Sequence, residues 1–371
     1  MSTNSVLDLI EETERELNDG LDFHSSDASS VRSVNFNAAN ICRLPRDVRA
    51  SIYTLQNKIL QSPNNLYRAR ELLVDLIKQK VEELHPTGPN TSVHVSYSST
   101  LVANFLAMAM HLFLGRRPVV LALEGEHEGA QSPFTQFCDL KLFNNFSEMS
   151  QFVASDNQVD GFLISTYRYT DGSKNPIEAV WKLRNKHSPD AFIIADLAQN
   201  FSVHPIEFEH FDIGFASAHK WLAGAMGHGF VWISDEWAEK LDEHKLSGSM
   251  AEDNDLGLAG GGDFVGLVET YIALKLRLTM RLGYNEKFGN ILLNHTLGSI
   301  CTVNSENPAF YLIDVSGLSD AYMVYSQILK QGVDIKYIKS DHSIYRLSVP
   351  YTVSEGEIMY GISVLETALE I

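Results

Sequence analysis

Three polar segments of this chain follow apolar runs closely enough to place chemistry at the ends of strands. Asp196 closes the run AFIIAD (191–196), and Gln199 lies about one turn further on. Ser217-Ala218-His219-Lys220-Trp221-Leu222 begins on the last residue of DIGFAS (212–217), and Ser98-Ser99-Thr100 comes directly after VHVSY (93–97). An ammonium held against an apolar wall is disfavoured as a charge. A lysine placed like Lys220 would therefore have a depressed pKa and serve as an amine nucleophile. A carboxylate buried at Asp196 demands a partner, such as a cation in the same cleft. The amides and hydroxyls of Ser98-Ser99-Thr100, opening a helix, make an anion site. Each segment also has a plainer reading: a helix cap at 98–100, a cap at Asp196, a surface lysine beside a packed tryptophan at Lys220.

The elements that would position these residues can be read from periodicity. VHVSY, PVVLAL (118–123), GFLIST (161–166), AFIIAD, DIGFAS and GFVWIS (229–234) are short apolar runs, with helices fitting between them, notably over 100–113 and 176–186. Strands apolar on both faces and spaced by helices predict a mostly parallel sheet covered on both sides. Ligands of such sheets bind beyond the carboxyl ends of the strands. Residues 1–30 read as an acidic amphipathic helix (Val6, Leu9, Ile10, Leu17) and a loop, with further helices near 46–60 and 66–84. Gly257–Gly262 interrupts the pattern before a long helix over 264–282. The tail reads strand 308–314, helix 319–331, strands 333–338 and 343–349, and a closing helix from Ser354. The expected class is α/β. An N-terminal helix and substrate-lining segment (1–45) precedes a large domain (46–285) and a small α+β domain (286–371).

Composition narrows the function. Of 371 residues, 29 are Lys or Arg and 47 Asp or Glu, a net charge of −18. Such a surface repels phosphate backbones and anionic membranes, so neither is an expected partner. No apolar run approaches the ~20 residues of a membrane helix, and the N-terminus carries acids where a secretory signal carries bases. Cys42, Cys138 and Cys301 are too scattered for a disulfide framework or a zinc site. The expectation is a reduced, soluble, cytoplasmic protein without a metal. Phosphate-loop, zinc-helix and serine-elbow motifs are missing, and the glycines of 224–229 read as a tight turn before GFVWIS.

Together, Asp196-Leu197-Ala198-Gln199 and Ser217-Ala218-His219-Lys220-Trp221-Leu222 resemble the core of the class V aminotransferases, pyridoxal phosphate (PLP) enzymes related to cysteine desulfurases. Further matches fall in order along most of the chain. They are Asn37-Ala38-Ala39 with Leu44-Pro45, Ser99-Thr100, Glu126-His127-Glu128, the turn from Gly172 to Pro176, and Arg346-Leu347-Ser348 with Thr352 and Glu355. The resemblance implies the fold type I architecture of PLP enzymes and a homodimer with active sites at its interface. It also implies that Lys220 holds PLP as a Schiff base and moves the Cα proton, with Asp196 on the pyridine nitrogen and His127 on the ring face. Gln199 would reach the phenolic oxygen, and Ser99, Thr100, Ser217 and His219 the phosphate. Arg346 would clamp a substrate α-carboxylate, with Asn40, Cys42, Arg168 and the 335–343 segment shaping the pocket.

The sequence departs from that family at three places. No cysteine occurs in 335–343, where a desulfurase carries its nucleophile, and Cys301 reads as core. The family's Asn-x-Glu-x-Gly segment is Arg168-Tyr169-Thr170-Asp171-Gly172, so Arg168 either faces an acidic substrate or stands on the surface. The Gly-Thr pair lent to the partner's phosphate site becomes Gly260-Gly261-Gly262, without a hydroxyl. The expected activity is an aminotransferase acting on a small amino acid or amine. A C–S or β-elimination lyase and an epimerase use the same residues, and a catalytically silent scaffold is the non-enzyme alternative.

Overall fold

The computed structural model describes residues 33–60, 66–243, 264–279, 286–292, 294–304, 307, 309–339 and 343–371. The N-terminal helix expected over 1–30 and the glycines 257–262 lie outside the described residues. After a short strand β1 (Val34–Asn35) come helices α1 (Arg46–Leu60) and α2 (Leu66–Leu84). The large sheet is built from β2 (Thr91–Ser96), β3 (Val119–Leu123), β4 (Asp139–Phe143), β5 (Gly161–Ser165), β6 (Phe192–Asp196), β7 (Ile213–Ser217) and β8 (Gly229–Ser234). Helices α3 (Ser99–Leu114), α4 (Glu128–Phe137), α5 (Phe146–Ala154) and α6 (Ile177–His187) link these strands, followed by α7 (Asp235–Glu243) and α8 (Phe264–Thr279).

The strand order is β2-β8-β7-β6-β5-β3-β4, and only the two ladders made by β8 are antiparallel. β5, β6 and β7 are buried at every residue, because helices cover both faces of the sheet centre. One core packs α2 and α8 against the sheet and the other packs α3 and α4. This is the mostly parallel sheet of the fold type I PLP enzymes. Strand β4 is absent from the sequence reading, because it sits at the sheet edge with half-exposed residues and no apolar run.

The C-terminal unit holds an antiparallel sheet in the order β12-β13-β10-β9, from β9 (Cys301–Val303), β10 (Phe310–Asp314), β12 (Lys336–Lys339) and β13 (Ser343–Ser348). Helices α9 (Glu286–Leu292), α10 (Ala321–Lys330) and α11 (Glu355–Leu369) pack with it. The expected strand 333–338 is divided, and its first part, β11 (Val333–Asp334), pairs in parallel with β1 instead. Val34 and Phe36 thereby enter the small unit's core, whereas Ala38, Ala39 and Cys42 enter the large one. Cys301, expected in the core, lies half-buried in the edge strand β9. No described helix is long and apolar enough to cross a membrane.

The loop after β6, which must hold Asp196 and Gln199 in place, is gripped from two helices. Ser202 takes a left-handed conformation (φ 65°). Its N–H donates to His85 Nε2 at 3.0 Å, at the end of α2, and its carbonyl accepts from Arg277 Nε of α8 at 2.8 Å. Burial, with the nearby Arg277 charge, pushes the His85 pKa down to about 3. The unfolded chain takes up this proton at the ordinary histidine pKa of ~6.5, so below that pH it binds more protons than the folded chain. Stability is therefore expected to fall as pH drops from ~6.5 toward ~3. His85→Gln should flatten that part of the profile of melting temperature against pH, even though it costs stability at neutral pH.

Candidate active site

The candidate residues converge where the parallel strands end. Asp196 is the last residue of β6 and stands in register with Ser165 of β5 and Phe215 of β7. Its Oδ1 accepts from the Ala198 N–H at 2.8 Å, and its backbone carbonyl accepts from the Thr166 N–H at 3.0 Å, so the buried carboxylate cannot swing. Ser217 ends β7, and the chain turns there to bring His219 and Lys220 over the same edge. The Ala223 N–H donates to the Lys220 carbonyl and the Cys42 N–H to that of His219 (2.7 Å), which fixes this turn on the 37–44 segment. Burial is the largest influence on Lys220 and pushes its pKa down. The Asp196 charge opposes that shift and the Arg346 charge adds to it.

A second group of residues forms an anion cradle. Ser98 caps α3, accepting from the Leu101 N–H. The N–H groups of Ser99 and Thr100 open the helix and have no acceptor within it. Ser99 Oγ and Ser217 Oγ are 2.6 Å apart, joining the helix N-terminus to the end of β7. His219 Nδ1 is buried without a hydrogen-bond partner, and burial with the Lys220 charge lowers its pKa to about 4. Thr100 is exposed but adjoins His127. A Cβ built on Gly129 would lie 3.2 Å from Thr100 Oγ1 and 3.0 Å from the His127 ring.

His127 is the cap of α4, its Nδ1 accepting from the Gly129 N–H at 3.1 Å. That bond leaves Nδ1 without a proton, and burial followed by the Lys220 charge lowers the pKa. Tyr169 stands edge-on to the ring, with centroids 5.2 Å apart. Arg346, on β13, is buried and reaches across the units. Its Nη1 donates to the Tyr169 carbonyl, its Nη2 to Asn37 Oδ1 at 3.1 Å, and its Nε is left without a partner. Burial pulls its pKa down to about 10, so it stays charged at neutral pH.

Other candidates occupy different ground. The Gln199 carboxamide is engaged at both ends, donating to the Ala39 carbonyl (3.0 Å) and accepting from Trp221 Nε1 (2.8 Å). Asn40 is exposed. The Arg168 guanidinium packs against Gly125, where a Cβ would meet Nη2 at 2.8 Å, and its charge acts on Glu126. Tyr169 and Asn37 carry contacts into the site that the sequence reading did not assign, whereas Lys336 belongs to the 335–343 segment expected to shape the pocket.

Residues 151–262 match the family model described as Aminotransferase class-V. Over that segment the sequence is similar to the class-V aminotransferases. Asp196, Gln199, Ser217, His219 and Lys220 all fall inside this class-V segment, whereas Ser99, His127 and Arg346 join them only through the fold. No curated protein matches the chain in sequence. Among solved structures, a NifS-like protein from Rickettsia africae is similar at 14% identity and a TM-score of 0.72, covering 91% of this chain and 100% of that one. An alanine–glyoxylate aminotransferase from Nostoc is similar at 16% and 0.68, covering 95% and 99%. The ureidoglycine–glyoxylate aminotransferase of Bacillus subtilis is similar at 12% and 0.66, covering 82% and 85%. These likenesses show a shared fold over 82–95% of the chain.

Glu126 lies beneath this site. It is buried, accepts from both the N–H and the hydroxyl of Ser165 and from Asn175 Nδ2 (3.3 Å), and burial raises its pKa to about 7. The folded chain thus holds a proton that the unfolded chain releases at the ordinary glutamate pKa. The contribution to stability is present below ~4.5 and lost as pH rises toward ~7. Glu126→Gln keeps the hydrogen bonds without the titration. Its melting temperature relative to wild type is expected to rise between about pH 5 and pH 8.

Proposed function

We propose that this protein is a PLP-dependent enzyme that transfers the amino group of a small amino acid. The observation that carries the reading is the desolvated Lys220 amine, facing Asp196 from the end of the next strand, between an anion cradle and a buried arginine. The donor set fits the group. There is an amine for its aldehyde, a fixed carboxylate for its ring nitrogen, hydroxyls and a helix N-terminus for its phosphate, and an orphaned His219 Nδ1 beside them. When bound, PLP supplies a protonated ring that accepts the electron pair released at the substrate's Cα.

The chain's own residues do the rest. Lys220 would hold the cofactor and, once freed by substrate, serve as the base for the Cα proton, a role that its lowered pKa favours. Asp196, immobilised by Ala198, keeps the ring nitrogen protonated. His127 would cover one ring face, steadied by Gly129 and Tyr169. Ser99, Thr100, Ser217 and His219 bind the phosphate, aided by the partial positive charge of the α3 N-terminus. Arg346 keeps unused N–H directions for a substrate α-carboxylate. Gln199 acts as a positioning residue, tying the loop after β6 to Ala39 and Trp221. A homodimer with shared sites follows from the family reading.

The thiols argue against a desulfurase. Burial pushes Cys42, Cys138 and Cys301 each up to about 12, so none is a ready thiolate nucleophile. An elimination lyase and an epimerase use the same base and electron sink and differ in the fate of the substrate carbanion, so product analysis separates them. The test is the visible spectrum of purified protein with PLP, alone and with a panel of amino acids. A band that Lys220→Ala abolishes, and that an amino acid bleaches until a keto acid restores it, is the expected result. The variant should also lose ~10²–10⁴-fold in turnover. Release of pyruvate and ammonia instead would identify a lyase. No lysine-dependent band would leave a silent scaffold.

A further inference from the structure

Lys336 and Arg346 are direct partners across the β12–β13 ladder, so their side chains leave the sheet on the same face. That face turns toward the large domain. The alternate residues Tyr311, Ile313, Tyr345 and Leu347 pack into the small unit's own core, whereas Arg346 reaches Tyr169 and Asn37. Like charges placed directly opposite in a sheet destabilise it. Asp334 offsets only part of this charge. Its carboxylate accepts from Asn37 Nδ2 at 3.2 Å and lies within the fields of Lys336, Arg43 and Arg346 together. Three cations thus gather around one carboxylate in a chain whose net charge is −18. The Lys336 charge also acts on His127, so the ammonium faces the same cleft as that residue.

We propose that Lys336 binds a second acidic group of the substrate, making this site one for dicarboxylic amino acids and their keto acids. This rests on the amino-acid reading of the site above. Arg346 receives the α-carboxylate, where a planar fork suits a carboxylate held in a fixed orientation. Lys336 meets the side-chain carboxylate as a mobile point charge on a flexible stem, able to follow substrates of different length. A single ammonium matches a monoanion; a dianionic phosphate is more often held by several donors or a helix N-terminus. Arg168 is a weaker candidate for this role, because its guanidinium lies against Gly125 with its charge directed at Glu126.

The test is calorimetric titration of the PLP-saturated protein with succinate and glutarate, against butyrate and pentanoate of matched length, at constant ionic strength. One dicarboxylate is expected to bind about tenfold more tightly than its monocarboxylate counterpart. Lys336→Gln should collapse that ratio to within about twofold, and Lys336→Arg should retain most of it. Equal affinities in the wild type, an unchanged ratio in Lys336→Gln, or competition by sulfate as strong as by the dicarboxylate would each overturn the proposal. Failure of the cofactor reading would show separately, as a visible band indifferent to Lys220→Ala, whatever the dicarboxylate ratio.

Discussion

A primary amine held in a dry cleft needs a fixed charge of opposite sign close by, or it gives up its proton. Lys220 stands in that condition, and the answer of the fold is Asp196 at the end of the adjacent strand. Parallel strands in register place successive chain ends along one edge, so a carboxylate on β6 and an amine just past β7 arrive there without any loop having to find them. Neither charge is fully open to water, Asp196 being buried and Lys220 half-buried. The surrounding hydrogen bonds of Ala198, Thr166, Cys42 and Ala223 are therefore made to backbone or to fixed oxygens, which hold the two groups at a set distance. The grip on Ser202 by His85 and Arg277 extends the same logic outward, since it immobilises the loop that carries Asp196 and Gln199.

Arg346 plays a related part between the two units. It is buried, yet its partners are a carbonyl and a carboxamide rather than a carboxylate. A guanidinium hydrogen-bonded only to neutral oxygens, with Asp334 acting on it without a direct bond, keeps a residual charge that a substrate carboxylate would meet. The same two bonds tie β13 to Tyr169 of the large unit and to Asn37 of the opening segment. The proposed binding of substrate and the seating of the small unit on the large one would therefore draw on one side chain.

Much of this arrangement is legible in the residues. β5, β6 and β7 announce themselves because burial on both faces leaves an unbroken apolar run, and the polar residues that end such runs mark the site edge. Ser99, Asp196, Ser217 and Lys220 were found that way. β4 and β9 were not, since an edge strand with half-exposed side chains carries neither an apolar run nor a clean alternation. The division of 333–338 into β11 and β12 depends on a partner strand at Val34–Asn35, and no local pattern encodes a pairing so distant. Gln199 was assigned by family position, but its amide is turned toward Ala39 and Trp221, contacts that exist only once the 37–44 segment folds back. Tyr169 escaped for a similar reason: its place at the site follows from which units face each other.

The pairing of β1 with β11 bears on how the chain reaches this state. Val34 has its ladder partner at Val333, and Phe36 lies against Phe288 in a core otherwise made of C-terminal residues. During synthesis this segment emerges long before β11, and it must wait for all the chain between them before its strand has anything to bond. Contacts of such wide sequence separation carry a large closure entropy and form late. Meanwhile Ala38, Ala39 and Cys42, only a few residues on, can already settle into the large core. The strand would then dangle as an anchored thread, tethered on one side and unpaired along its edge, until β11 has been made and the small unit closes around it.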